Sequence, residues 1–262
     1  MSGSALAASG LHVRLGRREV LRGLDVAFPP GQLTIIVGPN GAGKTTLVRA
    51  LAGLIPPSGG SVTFGGTRIE TIARLERARL FAYLPQNGGV SWPLPVRALV
   101  ALGRMPYGEA PEKLTKEGRR AVREAIAAAG LGGFEERPVT ELSGGERGRA
   151  LLARALATKA PVLLADEPVA ALDPRHQLLV LDVLRGLARG GGIVVAVMHD
   201  LSLASRFADE ILLMDEGVIV ASGAPEEVLT ATRLESVFAI EAAVSREAGG
   251  LTITPRRALR VE

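Results

Sequence analysis

The stretch GPNGAGKT, residues 38–45, decides how the rest of this sequence is interpreted. It follows the apolar run LTIIV at 33–37 and precedes residues 45–54, which have the apolar spacing of a helix. Glycines let the backbone curl until its N–H groups face inward, and the N-terminus of the following helix adds partial positive charge. A GxxxxGK[ST] pattern between a strand and a helix therefore predicts a loop that binds nucleotide phosphates.

Each residue of this loop has an expected task. Lys44 is predicted to reach the β- and γ-phosphates, the Thr45 hydroxyl to bind Mg²⁺, and Thr46 to reach the α-phosphate. The other residues are predicted to form the cradle around the phosphates, and they are Gly38, Pro39, Asn40, Gly41, Ala42 and Gly43. A chance glycine-rich turn is the alternative, and the strand before the loop argues against it. The loop alone predicts a nucleoside triphosphate with Mg²⁺, without fixing the chemistry.

A second candidate site lies at the end of the apolar run VLLA, residues 162–165. Asp166 and Glu167 follow it directly, and the carboxyl end of a parallel strand faces the ligand crevice of an open sheet. Asp166 is predicted to be the carboxylate on the Mg²⁺ side, acting directly or through water, and Glu167 to polarise the attacking water. Two solvated acids at a strand end are the alternative.

Composition excludes several classes of protein. The 262 residues contain no cysteine, which rules out disulfides, thiolate zinc sites and iron–sulfur ligation. The net charge of +4 is too small, and the aromatic content of 3% too low, to favour a nucleic-acid partner. No stretch approaches the roughly 18 uninterrupted apolar residues of a membrane span, and residues 1–10 lack the pattern of a secretory signal. We therefore expect any work at a membrane to go through a partner.

Apolar runs that alternate with helical segments predict an α/β fold with helices on both faces of a sheet. Beyond the strands already named, the predicted elements are two strands around a turn at 16–18, strands over 61–64, 80–84 and 192–198, helices over 96–103, 116–129, 143–158 and 174–189, a hairpin around Glu216-Gly217, and a helix that starts over 225–229. The chain is interpreted as one domain, 1–262, with 1–87 and 159–262 as the core and 88–158 as an inserted helical subdomain.

The motif LSGGE, residues 142–146, stands between the two candidate sites. With this order of motifs, residues 11–228 resemble the ATP-binding subunits of ATP-binding-cassette (ABC) transporters. The resemblance implies a P-loop NTPase (RecA-like) core with a parallel central sheet, an N-terminal antiparallel β subdomain and an inserted helical subdomain. It also implies a head-to-tail homodimer in which each ATP lies between the phosphate loop of one subunit and the LSGGE of the other.

Within LSGGE, Ser143 is a natural N-cap for the helix that follows. The resemblance implies that the Ser143 hydroxyl and the Gly144 and Gly145 amides, in a motif completed by Glu146, bind the γ-phosphate of the ATP held by the partner. Glu146 stands where the family commonly has Gln, and Gly148 where a helix former is usual. Neither departure removes a hydrogen-bond donor. An ordinary capped helix is the alternative.

Three further residues take their roles from the resemblance. Gln86, in YLPQ, is implied to contact Mg²⁺ or the attacking water and to couple the phosphate to movement of the helical subdomain. His199, in MHD, is implied to hydrogen-bond the γ-phosphate and orient the water. Asp173, in AALDP, is implied to cross the dimer interface, although an Asp-Pro turn before a helix has the same geometry.

One position departs from the family in a way that concerns the nucleotide base. Leu15 stands where ABC proteins commonly carry an aromatic residue that stacks on adenine. We therefore expect weaker stacking and a less certain preference for ATP over GTP. Arg17 and His12 are the candidates to compensate.

Residues 87–108, NGGVSWPLPVRALVALGRMPYG, resemble the matching segment of ATPases that serve importers of ferric siderophores, haem and cobalamin. In those importers this surface receives a multi-span membrane permease, and a substrate-binding protein takes part indirectly. The resemblance implies that Trp92 and Leu94 are exposed contacts for the permease and that the chain works at the cytoplasmic face of the cell membrane. A Trp92 that packs inside the helical subdomain is the alternative.

Two other functions stay open at the level of the sequence. A soluble ABC ATPase, such as one that assists iron–sulfur assembly, would bind soluble scaffold proteins instead of a permease. A P-loop kinase or other NTP-transferase would act as a monomer and would have no use for LSGGE or His199. Residues 87–108 argue against the first and the motif set against the second, so the ATPase of an ABC importer is the favoured hypothesis.

Overall fold

The computed structural model of the chain describes residues 5–86, 89, 92–247 and 249–259. Its strands are β1 (Leu6–Leu15), β2 (Arg18–Phe28), β3 (Leu33–Val37), β4 (Gly59–Phe64), β5 (Thr67–Arg68), β6 (Phe81–Leu84), β7 (Val162–Asp166), β8 (Ile193–Val197), β9 (Glu210–Asp215), β10 (Val218–Gly223), β11 (Ile240–Glu247) and β12 (Gly250–Ala258). Its α-helices are α1 (Lys44–Leu51), α2 (Arg74–Leu80), α3 (Val96–Ala101), α4 (Lys116–Ala128), α5 (Gly144–Ala157), α6 (Pro174–Arg189), α7 (Leu201–Phe207), α8 (Pro225–Val228) and α9 (Ala231–Phe238). Short 3₁₀ helices cover Ile69–Thr71, Leu102–Tyr107 and Val139–Glu141.

The centre of the molecule is a six-stranded sheet in the order β10-β9-β3-β8-β7-β6. Its strands run parallel from β9 through β6, and β10 joins as an antiparallel edge. Every residue of β3, β7 and β8 is buried, as a sheet covered on both faces requires. The predicted parallel sheet is therefore confirmed.

Two apolar cores cover the two faces of this sheet. Alternate residues of β3 serve different cores: Ile35 and Val37 pack on the side of α5 and α6. Ile36 packs on the other side with α1 and with β1 and β2. That second side carries a four-stranded sheet in the order β2-β1-β4-β5, which is the predicted antiparallel β subdomain.

Helices α3, α4 and α5 pack against one another and form most of the predicted helical subdomain. A buried ion pair fixes its interior: Arg104 donates to Glu109 at 3.0 Å and to the carbonyl of Ala157, at the end of α5, at 3.3 Å. The predicted boundary between 87 and 88 lies outside the described residues, so the division of the chain at 87/88 and 158/159 stays a prediction.

The structure differs from the predicted elements in several places. Leu80, predicted to begin a strand, is the last residue of α2, a helix with no buried residue and therefore with no apolar stripe to reveal it. The helix predicted over 96–103 ends at Ala101 and continues as the 3₁₀ helix, where Pro106 has no N–H for an α-helical bond. The helices α7 and α9 and the hairpin of β11 and β12 were also not predicted. Among the described residues, no helix is long and apolar enough to cross a membrane.

Candidate functional site

Four parallel strands end at one edge of the central sheet, and a predicted site residue follows each of them. The phosphate loop follows β3, Gln86 comes two residues after β6, Glu167 comes directly after Asp166 at the end of β7, and His199 comes two residues after β8. Because these strands are parallel, their carboxyl ends meet at the same crevice. Residues that are far apart in sequence therefore converge at one site.

The phosphate loop has a shape that two of its glycines make possible. Gly38 has a φ of 150°, and a Cβ there would lie 2.0 Å from the carbonyl oxygen of Met214. Gly43 has a φ of 98°, and a Cβ there would lie 2.8 Å from the Leu21 side chain. Any larger residue would push the loop away from the strands that support it.

Lys44 spans the loop from its position at the start of α1. Its ammonium group donates to the carbonyl oxygens of Gly38 at 2.7 Å and Pro39 at 2.8 Å. Burial lowers the pKa of Lys44, and the negative charges of Glu167 and Asp166 act in the opposite direction. The ammonium group is thus held inside the curve of the loop, where a phosphate would enter.

Asp166 is completely buried at the end of β7. Its Oδ1 accepts a hydrogen bond from the Thr45 hydroxyl at 3.0 Å, and its buried Oδ2 has no hydrogen-bond partner among the described residues. Burial raises the pKa of Asp166, because the charged form loses its hydration. Among the described residues it forms no ion pair, although the charges of Arg49 and Lys44 partly offset the effect of burial on its pKa. The carboxylate would therefore gain from a bound cation.

Glu167 is held in an uncommon backbone conformation next to His199. Its φ is 54°, in the left-handed region that costs energy for a residue with a side chain. Its N–H donates to the carbonyl of Val197 at 3.2 Å, on the neighbouring strand. His199 Nε2 then lies 2.5 Å from Glu167 Oε1. Both residues were predicted, but their direct contact was not, because nothing in the sequence specifies the left-handed turn.

An open pocket of about 420 Å³ brings nine of the predicted site residues together. Its described lining consists of Leu15, Arg18, Val20, Asn40, Gly41, Gly43, Lys44, Thr45, Thr46, Gln86, Glu167 and His199. Of the remaining predicted residues of the phosphate loop, Ala42 supports it from behind, since its carbonyl accepts the N–H of Gly217 at 3.1 Å. Arg18 and Val20 were not predicted, and no motif marks them.

The predicted LSGGE residues do not join this pocket. Ser143 and Glu146 form a capping box at the start of α5: the Glu146 N–H donates to Ser143 Oγ at 3.2 Å, and the Ser143 N–H donates to Glu146 Oε2 at 2.8 Å. Ser143 and Gly144 are exposed. Gly144 lines a separate pocket, together with Gln86 and Glu167. A Cβ on Gly145 would lie 3.1 Å from the side chain of Leu172, which also lines that pocket.

Asp173 also lies outside the phosphate pocket. It is exposed and caps α6, because its Oδ1 accepts the N–H of His176 at 3.1 Å and its Oδ2 lies 2.6 Å from His176 Nδ1. These bonds, with the side-chain bond to His176 as the largest cause, lower the pKa of Asp173. The local role is that of the predicted Asp-Pro turn before a helix.

The two residues predicted to compensate for Leu15 are elsewhere. His12 pairs with Glu19 at 3.1 Å, and its ring packs against Gly23 and Gly59. Arg17 sits in the turn between β1 and β2 and does not line the pocket. Neither residue belongs to the described lining of the pocket, and their role as compensating contacts for the base stays a prediction.

The chain is similar to known proteins over most of its length. The family model described as ABC transporter matches residues 21–170. The hemin import ATP-binding protein HmuV of Streptomyces coelicolor is 44% identical over 253 residues, or 96% of this chain and 90% of that protein. HmuV of Rhizobium meliloti is 46% identical over 91% of this chain and 92% of that protein. The cobalamin import ATP-binding protein BtuD of Halobacterium salinarum is 42% identical over 95% of this chain and 63% of that protein.

Solved structures share the fold. A bacterial Atm1-family ABC exporter with ATP bound superposes with a TM-score of 0.76 at 27% identity, over 87% of this chain and 40% of that chain. A metal-chelate type ABC transporter in an inward-facing conformation superposes with a TM-score of 0.80 at 24% identity, over 97% of this chain and 98% of that chain. The family match, these relatives and the converging site together show that the chain belongs to the ABC transporter family, as one of its ATP-hydrolysing subunits.

Proposed function

We propose that this chain drives an importer of an iron chelate, haem or cobalamin, and that two copies of it bind two ATP molecules head to tail. One observation carries the proposal: a single chain assembles only part of an ATP clamp. Lys44, Glu167 and His199 line the phosphate pocket, whereas Ser143 and Gly145 are absent from its lining. In the proposed dimer, the missing γ-phosphate donors come from the partner.

Mg²⁺ fits the donors of this site. Thr45 and Asp166 supply a hydroxyl and a buried carboxylate whose Oδ2 has no partner among the described residues. Among all the residues that the structure describes, no group of three His, Asp or Glu side chains lies close enough together to hold a metal ion without the nucleotide. Mg²⁺ binds in this way to one or two carboxylates plus substrate phosphates. We assign it to Thr45, Asp166 and Gln86, where it would neutralise charge on the β- and γ-phosphates.

The proposed hydrolysis step uses Glu167 as the base. A water oxygen attacks the γ-phosphorus, the bond to the β–γ bridging oxygen breaks, and Glu167 accepts a proton from the water. His199 holds the Glu167 carboxylate through their 2.5 Å contact. When ATP binds, the Lys44 ammonium group would release the carbonyls of Gly38 and Pro39. It would donate its hydrogen bonds to negatively charged phosphate oxygens instead.

The proposed role of LSGGE follows from its hydrogen bonds. The Ser143 Oγ accepts the N–H of Glu146, which leaves its own hydrogen free to donate to a phosphate. The Ser143 N–H is taken by the Glu146 carboxylate, so the amides of Gly144 and Gly145 are the ones left to a γ-phosphate at this helix N-terminus. Asp173 is proposed to lie at the same dimer interface.

The proposed permease contact is the apolar segment after Gln86. Trp92 is 73% exposed, which argues against the alternative that it packs inside the subdomain. Leu94 is half-buried, and its carbonyl accepts the N–H of Val139 at 2.8 Å, which anchors the segment to the helical subdomain. Asn87, Gly88, Val90 and Ser91 of this segment lie outside the described residues. The proposal places the chain on the cytoplasmic face of the cell membrane, with a substrate-binding protein on the other side.

Reconstitution tests this proposal. The chain and a candidate multi-span permease that co-purifies with it are placed in liposomes that contain ATP, with a candidate substrate-binding protein outside. Uptake of haem, cobalamin and a ferric siderophore is then measured. We expect ATP-dependent uptake of one of them, and its loss in Trp92→Asp with the ATPase activity of the isolated chain retained.

Val220→Asp is the matched control. Val220 is 45% exposed and lies on β10, at the opposite edge of the sheet from β6, so uptake should survive. Association with a soluble scaffold protein, and no uptake of any of the three compounds, would contradict the proposal.

A further inference from the structure

One wall of the phosphate pocket is made by residues outside every motif. On the side of the antiparallel sheet, the lining consists of Leu15, Arg18 and Val20, from the hairpin of β1 and β2. This hairpin touches the phosphate loop, because the space beside Gly43 is filled by the Leu21 side chain and the carbonyl of Val20. A nucleotide whose phosphates lie in the loop therefore meets this wall with its nucleoside part.

Leu15 and Arg18 act as a pair on this wall. They are directly opposite in the register of β1 and β2, on either side of the turn formed by Gly16 and Arg17. Directly opposite residues of an antiparallel pair project from the same face of the sheet, with Cβ atoms about 4.5–5.5 Å apart. Both side chains therefore reach the same part of the pocket.

The wall offers a base only one planar group. No Phe, Tyr or Trp belongs to the described lining of the pocket. The His199 ring in that lining is engaged by Glu167, and Leu15 supplies an aliphatic surface. The Arg18 guanidinium is planar, and guanidinium groups stack on the faces of aromatic rings. In the part of the chain that the structure describes, Arg18 makes no ion pair, while the neighbouring Glu19 is engaged by His12. The guanidinium of Arg18 is thus free to face a ligand.

We propose that Arg18 binds the base of the nucleotide, by stacking its guanidinium on the purine while Leu15 contacts the same base through its side chain. This inference rests on the proposed nucleotide site and adds the residue that recognises the base. A guanidinium that lies on the face of a purine makes no hydrogen bond to the edge groups that differ between adenine and guanine, so it stacks on either base. The site therefore binds guanine and adenine nucleotides with affinities within about threefold, and pyrimidine nucleotides more weakly.

The test compares nucleotides with a ligand that has no base. Binding of ADP, GDP, CDP and pyrophosphate to the full chain is measured by calorimetry in the presence of Mg²⁺, for the wild type and for Arg18→Ala, Arg18→Lys and Arg17→Ala. Arg17 is the matched control, because it is an exposed arginine of the same turn and does not line the pocket. The ratio of ADP affinity to pyrophosphate affinity separates base binding from attraction of the phosphates.

We expect Arg18→Ala to lower this ratio about three- to tenfold. Arg18→Lys should lower it similarly, because an ammonium group keeps the charge but lacks the plane. The Arg18→Lys variant keeps the charge and most of the side chain. The affinity ratio can therefore be measured on this variant even if Arg18→Ala folds poorly. Arg17→Ala should leave the ratio unchanged.

Two results would overturn the inference while the nucleotide site stands. One is a wild-type ratio in both Arg18 variants, including the case in which ADP and pyrophosphate affinities fall equally, which would mean a charge effect alone. The other is a preference of the wild type for ADP over GDP of more than tenfold. A wild type that binds neither ADP nor pyrophosphate overturns the nucleotide site itself, and with it this inference. Retained pyrophosphate binding with an unchanged ratio overturns only the role of Arg18.

Discussion

His199 Nε2 lies 2.5 Å from Glu167 Oε1, so the candidate base and the histidine of MHD are in direct contact. The two residues come from neighbouring parallel strands, β7 and β8. Glu167 reaches this position through a left-handed backbone turn. Strained conformations of this kind persist where the surrounding structure enforces them, and they cluster at functional sites. We infer that His199 positions the Glu167 carboxylate.

His199→Ala is expected to lower ATP hydrolysis about 10- to 100-fold, because Glu167 loses the partner that orients it. ATP affinity should change less than threefold, since Lys44 and the loop amides remain. Phosphate release and nucleotide binding are measured on the same preparation. His12→Ala is the control, because that histidine pairs with Glu19 away from the pocket. Equal activity of the two variants would contradict the positioning role.

Glu167→Gln is expected to bind ATP and to hydrolyse it at least about 100-fold more slowly, because an amide cannot accept the proton of the water. The unhydrolysed ATP should hold two copies together, so light scattering should show a dimer with ATP and a monomer without it. Normal turnover in this variant would remove Glu167 from the mechanism.

Asp166 should make the effect of Mg²⁺ depend on pH. Burial raises the pKa of Asp166 in the folded chain above its ordinary value of 3.8. A carboxyl group whose pKa is higher in the folded chain than in the unfolded chain stabilises the folded chain at pH values below the unfolded pKa. This stabilisation is lost as the pH rises through 3.8 towards the folded pKa. Mg²⁺ binds the ionised carboxylate, so its affinity should rise over the same window.

The measurement is the melting temperature with MgADP and with ADP alone, from pH 4 upward. The extra stabilisation by Mg²⁺ should grow with pH in the wild type and should be small at every pH in Asp166→Asn. A constant Mg²⁺ increment in the wild type would contradict the assignment of this carboxylate.

The capping box at α5 should contribute to stability in a way that acid removes. The hydrogen bond from the Ser143 N–H is the largest cause that lowers the pKa of Glu146. A lowered carboxyl pKa gives stability that is present above the ordinary value of 4.5 and is lost as the pH falls through the folded pKa. Glu146→Ala should therefore cost about 0.5–1 kcal/mol of unfolding free energy at pH 7.

Glu146→Gln is the informative comparison, because its amide oxygen still accepts the Ser143 N–H but does not titrate. Denaturant unfolding at pH 7 and at pH 4 should show a smaller loss on acidification for this variant than for the wild type. Identical pH dependence of the two would mean that the carboxylate does not stabilise the helix.

The sequence predicted the parts of the site that follow from chain order. Gly38, Lys44, Asp166 and His199 are recognisable because each is fixed relative to a short buried strand, and parallel strands bring their ends together. The sequence could not predict the contact between His199 and Glu167 or the place of Arg18. The first depends on one φ angle, and the second on the register of a hairpin against the phosphate loop.

In the fold, the sequence predicted elements that are built on buried apolar residues and missed several that lack them. Strands such as β3, β7 and β8 are buried throughout and mostly apolar, and α6 has the same bounds in the structure as in the prediction. The helix α2 escaped notice because none of its residues is buried, so its pattern carries no periodic signal. The hairpin of β11 and β12 was missed for the same reason, because its residues are all partly buried or exposed.

A mixing experiment tests the central claim most directly. Lys44→Ala removes the phosphate contact of one protomer, and Ser143→Arg blocks the LSGGE of the other; neither variant alone can form an intact shared site. In a mixed dimer, the phosphate loop of the Ser143→Arg protomer faces the unaltered LSGGE of the Lys44→Ala protomer. We expect the equimolar mixture to hydrolyse ATP well above the sum of the two variants measured separately. Wild-type hydrolysis by Ser143→Arg on its own, or a mixture no more active than that sum, would contradict an ATP shared between two copies.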